Sequence, residues 1–169
     1  MSHSSGPVKT AYLSLGSNLG DRKQNLMRAL AALEDESVHL TARSSVYETE
    51  PQDVRDQPWF LNMAVACETQ CFPLQLLTTV QRIERRLGRA RAGPMRKGPR
   101  VIDIDILSIG NLVMETPRLV IPHPRMLERR FVLEPLLEIA PEWRHPKTSR
   151  PLSAYLSKLA GQKARKIQL

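Results

Sequence analysis

Residues 101–109 read VIDIDILSI, the most strand-like apolar run in the chain, and it carries two carboxylates, Asp103 and Asp105, one residue apart. In a β-strand successive side chains point to opposite faces. Asp103 and Asp105 therefore share one face, while Ile102, Ile104 and Ile106 occupy the other. The pattern asks for a sheet packed on one side and open on the other. At two residues along a strand the carboxylates are roughly 6 to 7 Å apart and repel each other unless a proton or cation lies between them. Two readings follow: ordinary exposed acids on a solvent-facing strand, or ligands of a divalent cation such as magnesium, which takes a few carboxylate oxygens and fills its remaining positions with water and phosphate.

The residues before this strand favour the second reading. Residues 82–100, RIERRLGRARAGPMRKGPR, contain eight Lys/Arg against one acid, Glu84, in a chain of formal net charge +8. A basic cluster can be a solvated helix face, or a surface for phosphate-rich ligands or nucleic acid. Next to paired carboxylates it fits phosphoryl transfer, in which metal and guanidinium groups share the phosphate charge. No G-x-x-x-x-G-K-[ST] loop is present, and GSNLGD (16–21) is too loose for a dinucleotide fingerprint.

The rest of the chain supplies the partners of this strand. VKTAYLSLGS (8–17) alternates and stops in a turn; Leu26, Leu30 and Leu33 then follow at helical spacing behind Asp21, an expected N-cap. VHLTARSSVYETE (38–50) and WFLNMAVACET (59–69) read as two more strands. FPLQLLTTVQRIERRLG is a helix opening at Pro73 and closing at Gly88, with a buried stripe of Leu76, Val80, Ile83 and Leu87. A second stripe, Leu77, Gln81 and Glu84, runs beside it. Helical stretches RRFVLEPLLEIA and LSAYLSKLAG close the chain. The order strand, helix, strand, strand, helix, strand predicts an α+β, ferredoxin-like βαββαβ antiparallel sheet with helices on one face and extra C-terminal elements.

At 169 residues one domain is expected, spanning 8–169 behind a leader of residues 1–7 read as disordered or a cloning scar. No apolar run approaches the ~20 residues that cross a bilayer. Cys67 and Cys71, placed on one strand face roughly 13 Å apart, are too distant for a disulfide. With scattered histidines they make no zinc pattern, and a reducing, cytoplasmic setting is expected.

The motifs GSNLGDR, QPWFLN, QRIERRLGRAR, GPRVIDIDIL and IPHPRMLERRFVLEPLLEIAPE, in this order and spacing, resemble the 6-hydroxymethyl-7,8-dihydropterin pyrophosphokinases of folate biosynthesis over roughly residues 11–143. The resemblance implies a ferredoxin-like enzyme that moves the β,γ-pyrophosphate of ATP onto the pterin hydroxymethyl oxygen and releases AMP, using two magnesium ions. It implies Asp103 and Asp105 as ligands of both ions, with Arg89, Arg91 and Arg100 meeting the triphosphate and Asp103, Asp105, Arg89 and Arg100 as the catalytic set. Gln81, Glu84, Arg118 and His123 become nucleotide contacts, and Arg129 a basic residue near the transferred phosphates. For the pterin it implies Asn62 at the polar edge, Thr49 at a strand end lining the pocket, and Phe60 and Phe131 on the two ring faces. A flat ring with a polar rim calls for such stacking and a few directed hydrogen bonds.

The chain departs from its relatives at Lys97, often aromatic there, and at Pro124, aromatic in some. The Gly88–Arg100 loop is one residue longer than in some members. Segments 49–58 and 88–99, charged and Pro/Gly-punctuated, have the character of segments that close over substrates. A nucleic-acid module of the same fold would place aromatics and cations on the central strands; carboxylates stand there instead, so no nucleic-acid partner is expected. A binding protein without catalysis is the other alternative. The expected state is a monomer, with no membrane partner.

Overall fold

The structure is a computed structural model that describes residues 6–36, 38–88 and 99–168. Its elements begin with β1 (Lys9–Ser17), α1 (Arg22–Asp35), β2 (His39–Arg43), β3 (Val46–Thr49) and β4 (Phe60–Thr69). They continue with α2 (Pro73–Arg86), β5 (Asp103–Ile109), the hairpin β6 (Met114–Glu115) and β7 (Val120–Ile121), α3 (Arg130–Ile139), α4 (Ser153–Leu156) and β8 (Ala164–Ile167). The main sheet runs β5-β1-β4-β3-β8, with β2 pairing β4 on the same side as β3. All its pairings are antiparallel. This is the ferredoxin-like arrangement, with β8 added at one edge.

The helices form where the pattern placed them. Asp21 caps α1, its Oδ1 accepting from the Gln24 N–H at 3.1 Å. Pro73 opens α2, and Gln75 Oε1 accepts from the Phe72 N–H at 2.8 Å. Leu26, Leu30 and Leu33 of α1 and Leu76, Val80 and Ile83 of α2 are buried in one cluster with Leu13, Leu15, Met63, Val65, Ile104 and Ile106 of the sheet. Each such side chain contributes roughly 1.5–3 kcal/mol on removal from water. Leu87, expected in the buried stripe, is only partly buried against that cluster.

Three features differ from the sequence expectation, each for a local reason. The strand expected over 38–50 is two strands with a register shift between Leu40 and Ala42, and Ser44 sits at the break. There the Ser44 N–H donates to Ala64 O and its Oγ accepts from the Ala64 N–H, both at 2.9 Å, so the side chain completes a ladder the backbone leaves. Cys71 lies beyond the end of β4; both thiols are free, and burial pushes the Cys67 thiol up to about 12. The short β8 adds to β3, a pairing that four residues do not announce.

The second sheet face is not left open throughout. Val132, Leu133 and Leu136 of α3 pack with Met126 and Leu152 over Ala64 and Leu107. Glu138 pins the helix to the β2–β3 break, accepting from the Ser45 N–H and Oγ at 2.8 Å and from the Tyr47 hydroxyl at 2.6 Å. Leu133 is fully buried in this layer, so Leu133→Ala is expected to cost about 2–5 kcal/mol. Urea unfolding measures it; a change under ~0.5 kcal/mol would contradict the packing of α3 on the sheet.

Candidate active site

Beyond the reach of α3 the same sheet face opens into a cavity of about 420 Å³. Its floor is made by strands: Ser14 and Gly16 of β1, Phe60 and Asn62 of β4, and Asp103 and Asp105 of β5. The alternation of β5 holds here, with Ile104 and Ile106 each 4% exposed on the helix side and both aspartates partly exposed on the other. Arg100 donates from Nη1 to Asp103 Oδ1 at 3.3 Å, so a guanidinium stands at the mouth of the carboxylate pair.

A wall comes from α2. Leu77, Gln81 and Glu84, the stripe beside the buried one, all line the cavity. Glu84 is 2% exposed, and its Oε2 accepts from the Ile104 N–H at 3.4 Å. Thus the helix that buries Ile83 also caps a backbone donor of β5, itself an edge strand of the sheet.

The opposite wall depends on an irregularity. The β1–β5 register shifts as Tyr12 pairs Ser108 and Leu13 pairs Ile106, leaving Leu107 as an extra residue. Such a bulge bends a strand and re-aims its groups. Leu107 then joins the α3 layer while Ile109 returns to the α1/α2 core. The Leu107 carbonyl accepts from the His123 N–H at 2.9 Å, which seats His123 on the cavity wall. His123 Nδ1 accepts from the Arg125 N–H at 3.2 Å, leaving the ring proton on Nε2. Burial, then Arg129 and Arg125, push the imidazole down to about 4 against the pull of Asp103. At neutral pH it is an uncharged donor. Arg129 is also lowered by burial and by Arg125, against the opposing pull of Asp105, Asp53 and Asp103. It stays charged, and its guanidinium carbon lies 5.5 Å from the centre of the Phe131 ring.

At the far end Asn62, 3% exposed, faces Gly16 on one side and Tyr47 on the other. Its Nδ2 donates to Thr49 Oγ1 at 2.5 Å. Its Oδ1 lies where a Cβ on residue 16 would approach to 2.6 Å, so only glycine leaves the amide its place. Phe60 and Phe131 line the same cavity.

Of the residues singled out in the sequence, Gln81, Glu84, Arg100, Asp103, Asp105, His123, Arg129, Thr49, Phe60, Asn62 and Phe131 thus meet at one cavity. Arg118 does not; it is exposed in the turn between β6 and β7. Arg89, Arg91 and Lys97 lie outside the described residues. The sequence reading singled out segment 49–58 as a whole but not Gln52, Asp53 and Gln57 within it, and it missed the cavity role of Gly16. Arg125 donates to Asp53 Oδ1 at 3.2 Å, pinning the 50–58 segment across the cavity. Loop side chains carry no periodic signal that could have announced this.

The profile of the 7,8-dihydro-6-hydroxymethylpterin-pyrophosphokinase (HPPK) family matches residues 12–141. The chain belongs to the HPPK family. It is 48% identical over 140 residues to the 2-amino-4-hydroxy-6-hydroxymethyldihydropteridine pyrophosphokinase of Bacillus subtilis, covering 82% of this chain and 83% of that protein. It is 44% identical over 155 residues to the folic acid synthesis protein fol1 of Schizosaccharomyces pombe, covering 91% of this chain but 21% of the larger protein. The chain thus spans about a fifth of that relative's length. Its fold superposes on Plasmodium falciparum HPPK-DHPS with pteroate at a TM-score of 0.74 and 16% identity, covering 95% of this chain and 44% of that one. No helix among the described residues is long and apolar enough to cross a membrane.

A histidine half-buried beside two guanidinium groups should resist protonation. In the ligand-free protein, NMR titration of His123 is expected to show an Nε2-protonated ring that gains a second proton only near pH 4. The unfolded chain takes up that proton at about pH 6.5. His123 therefore lowers stability as pH falls between about 6.5 and about 4, and not above. An apparent value near 6.5 in the folded protein would contradict its burial.

Proposed function

We propose that the chain binds MgATP and 6-hydroxymethyl-7,8-dihydropterin in this cavity and transfers the β,γ-diphosphate of ATP to the hydroxymethyl oxygen, releasing AMP. The observation that carries the reading is that the paired aspartates of β5 open into the same cavity as Asn62, Thr49, Phe60 and Phe131. A site for phosphate-bound cation and a site for a flat polar-rimmed ring adjoin on one sheet face.

Each side chain then has a task. Phe60 and Phe131 offer the apolar faces that a pterin stacks against. The Thr49 bond fixes the Asn62 amide and leaves its carbonyl oxygen and second N–H to read the ring edge. Gln81 and Glu84 on α2, with His123, take the nucleotide; Arg89, Arg91, Arg100 and Arg129 take the phosphates.

Two carboxylates are fewer ligands than a protein cage for a metal, and the described residues contain no group of three His, Cys, Asp or Glu that could hold one. That donor set fits magnesium shared with substrate phosphates and water. Asp103 and Asp105 would hold it, and we propose two such ions. When bound, magnesium neutralises phosphate charge and helps align the displacement. The residues contribute alignment: the hydroxymethyl oxygen bonds the β-phosphorus as the bond to the α,β-bridging oxygen breaks, and the hydroxyl proton passes to solvent. No side-chain base is assigned. We take residues 8–169 as one domain acting as a monomer, and the two free thiols support a cytoplasmic setting.

Incubation with MgATP and the pterin, followed by 31P NMR, should yield AMP and pterin diphosphate in equal amounts. ADP, or no turnover, would contradict the proposal. Asp103→Ala and Asp105→Ala should each lower kcat by roughly a thousandfold or more, at ~1.4 kcal/mol per tenfold. Circular dichroism and Tm should stay near wild type, because both side chains face the cavity and not the core.

A further inference from the structure

The GSN stretch that closes β1 contains a buried side chain that does not line the cavity. Asn18 is 2% exposed. Its Oδ1 accepts from the Arg100 N–H at 2.7 Å, and its own N–H donates to Arg100 O at 3.0 Å. Its Nδ2 donates to Gln57 Oε1 at 3.0 Å and to Pro58 O at 2.9 Å. An amide has one carbonyl and two N–H groups, and all are used. The reverse orientation would set oxygen against two oxygens and N–H against N–H, so the network assigns the amide.

We propose that Asn18 is a positioning residue that locks Arg100 and the 50–58 segment together as one wall of the cavity. From Arg100 the chain of contacts continues to Asp103, through the 3.3 Å pair. From Gln57 it continues into the loop, where Nε2 donates to Val54 O at 2.7 Å. Asn18 is itself held from behind: Asn25 Nδ2 of α1 donates to Ser17 Oγ at 3.1 Å and to Leu19 O at 2.8 Å, on either side of it. One buried amide thus sets the distance between the guanidinium beside the carboxylate pair and the loop that walls the ring end. Aspartate lacks the two donors. Alanine leaves partly buried groups of both segments without the partner they have here.

The kinetic arm of the test rests on the proposed reaction; the exchange arm does not. Asn18→Ala should lower kcat/KM by about tenfold to a hundredfold, the scale of an unmade buried hydrogen bond or two. In an Arg100→Ala background the same change should cost clearly less than in wild type, because the route through the guanidinium is gone and only the loop contacts remain. An equal loss in both backgrounds, which a merely destabilising role gives, would overturn the proposal. In the ligand-free protein, hydrogen exchange should quicken in Asn18→Ala at the Arg100 amide and across 53–58 together. Should Asn18→Ala fail to fold, Asn18→Asp serves: it keeps the acceptor for Arg100 and loses both loop bonds. It should quicken exchange at 53–58 and leave the Arg100 amide protected. Exchange unchanged at both segments, or uniform throughout the chain, would overturn the proposal. A wild type that makes no AMP defeats the reaction and leaves the exchange result to decide the role of Asn18.

Discussion

Burial of Ile102, Ile104 and Ile106 in the core that α2 closes over β5, all at most 4% exposed, is the contact on which the site depends. A slip of one residue in β5 would carry Asp103 and Asp105 into that core and the isoleucines out of it. Taking an unpaired carboxylate from water costs several kcal/mol, and the lost burial adds to it. The register is therefore fixed by hydrophobic contact on one face, and the orientation of the charged groups on the other follows from it. The Glu84 bond to the Ile104 N–H adds a directional contact from α2 to the same strand.

The other sheet face is divided between stability and chemistry. Its α3 layer closes over Ala64 and Leu107, and the cavity occupies what remains. The bulge at Leu107 joins the two regions: one residue enters the apolar layer, and its carbonyl seats His123 at the cavity wall. Charge in the cavity is mixed, with Arg100 against Asp103 and Arg125 against Asp53. Burial keeps His123 uncharged among these groups. Side chains there can thus meet a polyphosphate with a guanidinium on one side and a neutral donor on the other.

Much of this was legible in the residues because it rests on periodicity. Alternation placed the isoleucines and aspartates of β5 on opposite faces, and the 3.6-residue period separated the buried stripe of α2 from the stripe Leu77, Gln81 and Glu84 that lines the cavity. The family resemblance, and not the periodicity, brought Asn62, Phe60 and Phe131 into one site. What stayed hidden depends on contacts between segments far apart in sequence. Asn18 meets Gln57 and Arg100 across 39 and 82 residues, and nothing local marks it as more than a turn residue before a helix. Gly16 reads as a turn glycine, although its neighbour across the sheet, Asn62, is what requires it. The bulge at Leu107 and the break at Ser44 arise from pairing, which composition does not encode. Arg118, assigned by resemblance, stands apart in the β6–β7 turn.

The central claim is that the open face of β5 holds a divalent cation jointly with substrate phosphate. Manganese, used as a spectroscopic stand-in for magnesium, tests it by electron paramagnetic resonance with a non-hydrolysable ATP analogue. Two carboxylates alone should bind the ion weakly, and the analogue should tighten binding by about a hundredfold or more in wild type, since phosphate oxygens complete the coordination. In Asp105→Asn most of that gain should vanish. The same tightening in wild type and Asp105→Asn would contradict the account, because the metal would then be held without the strand.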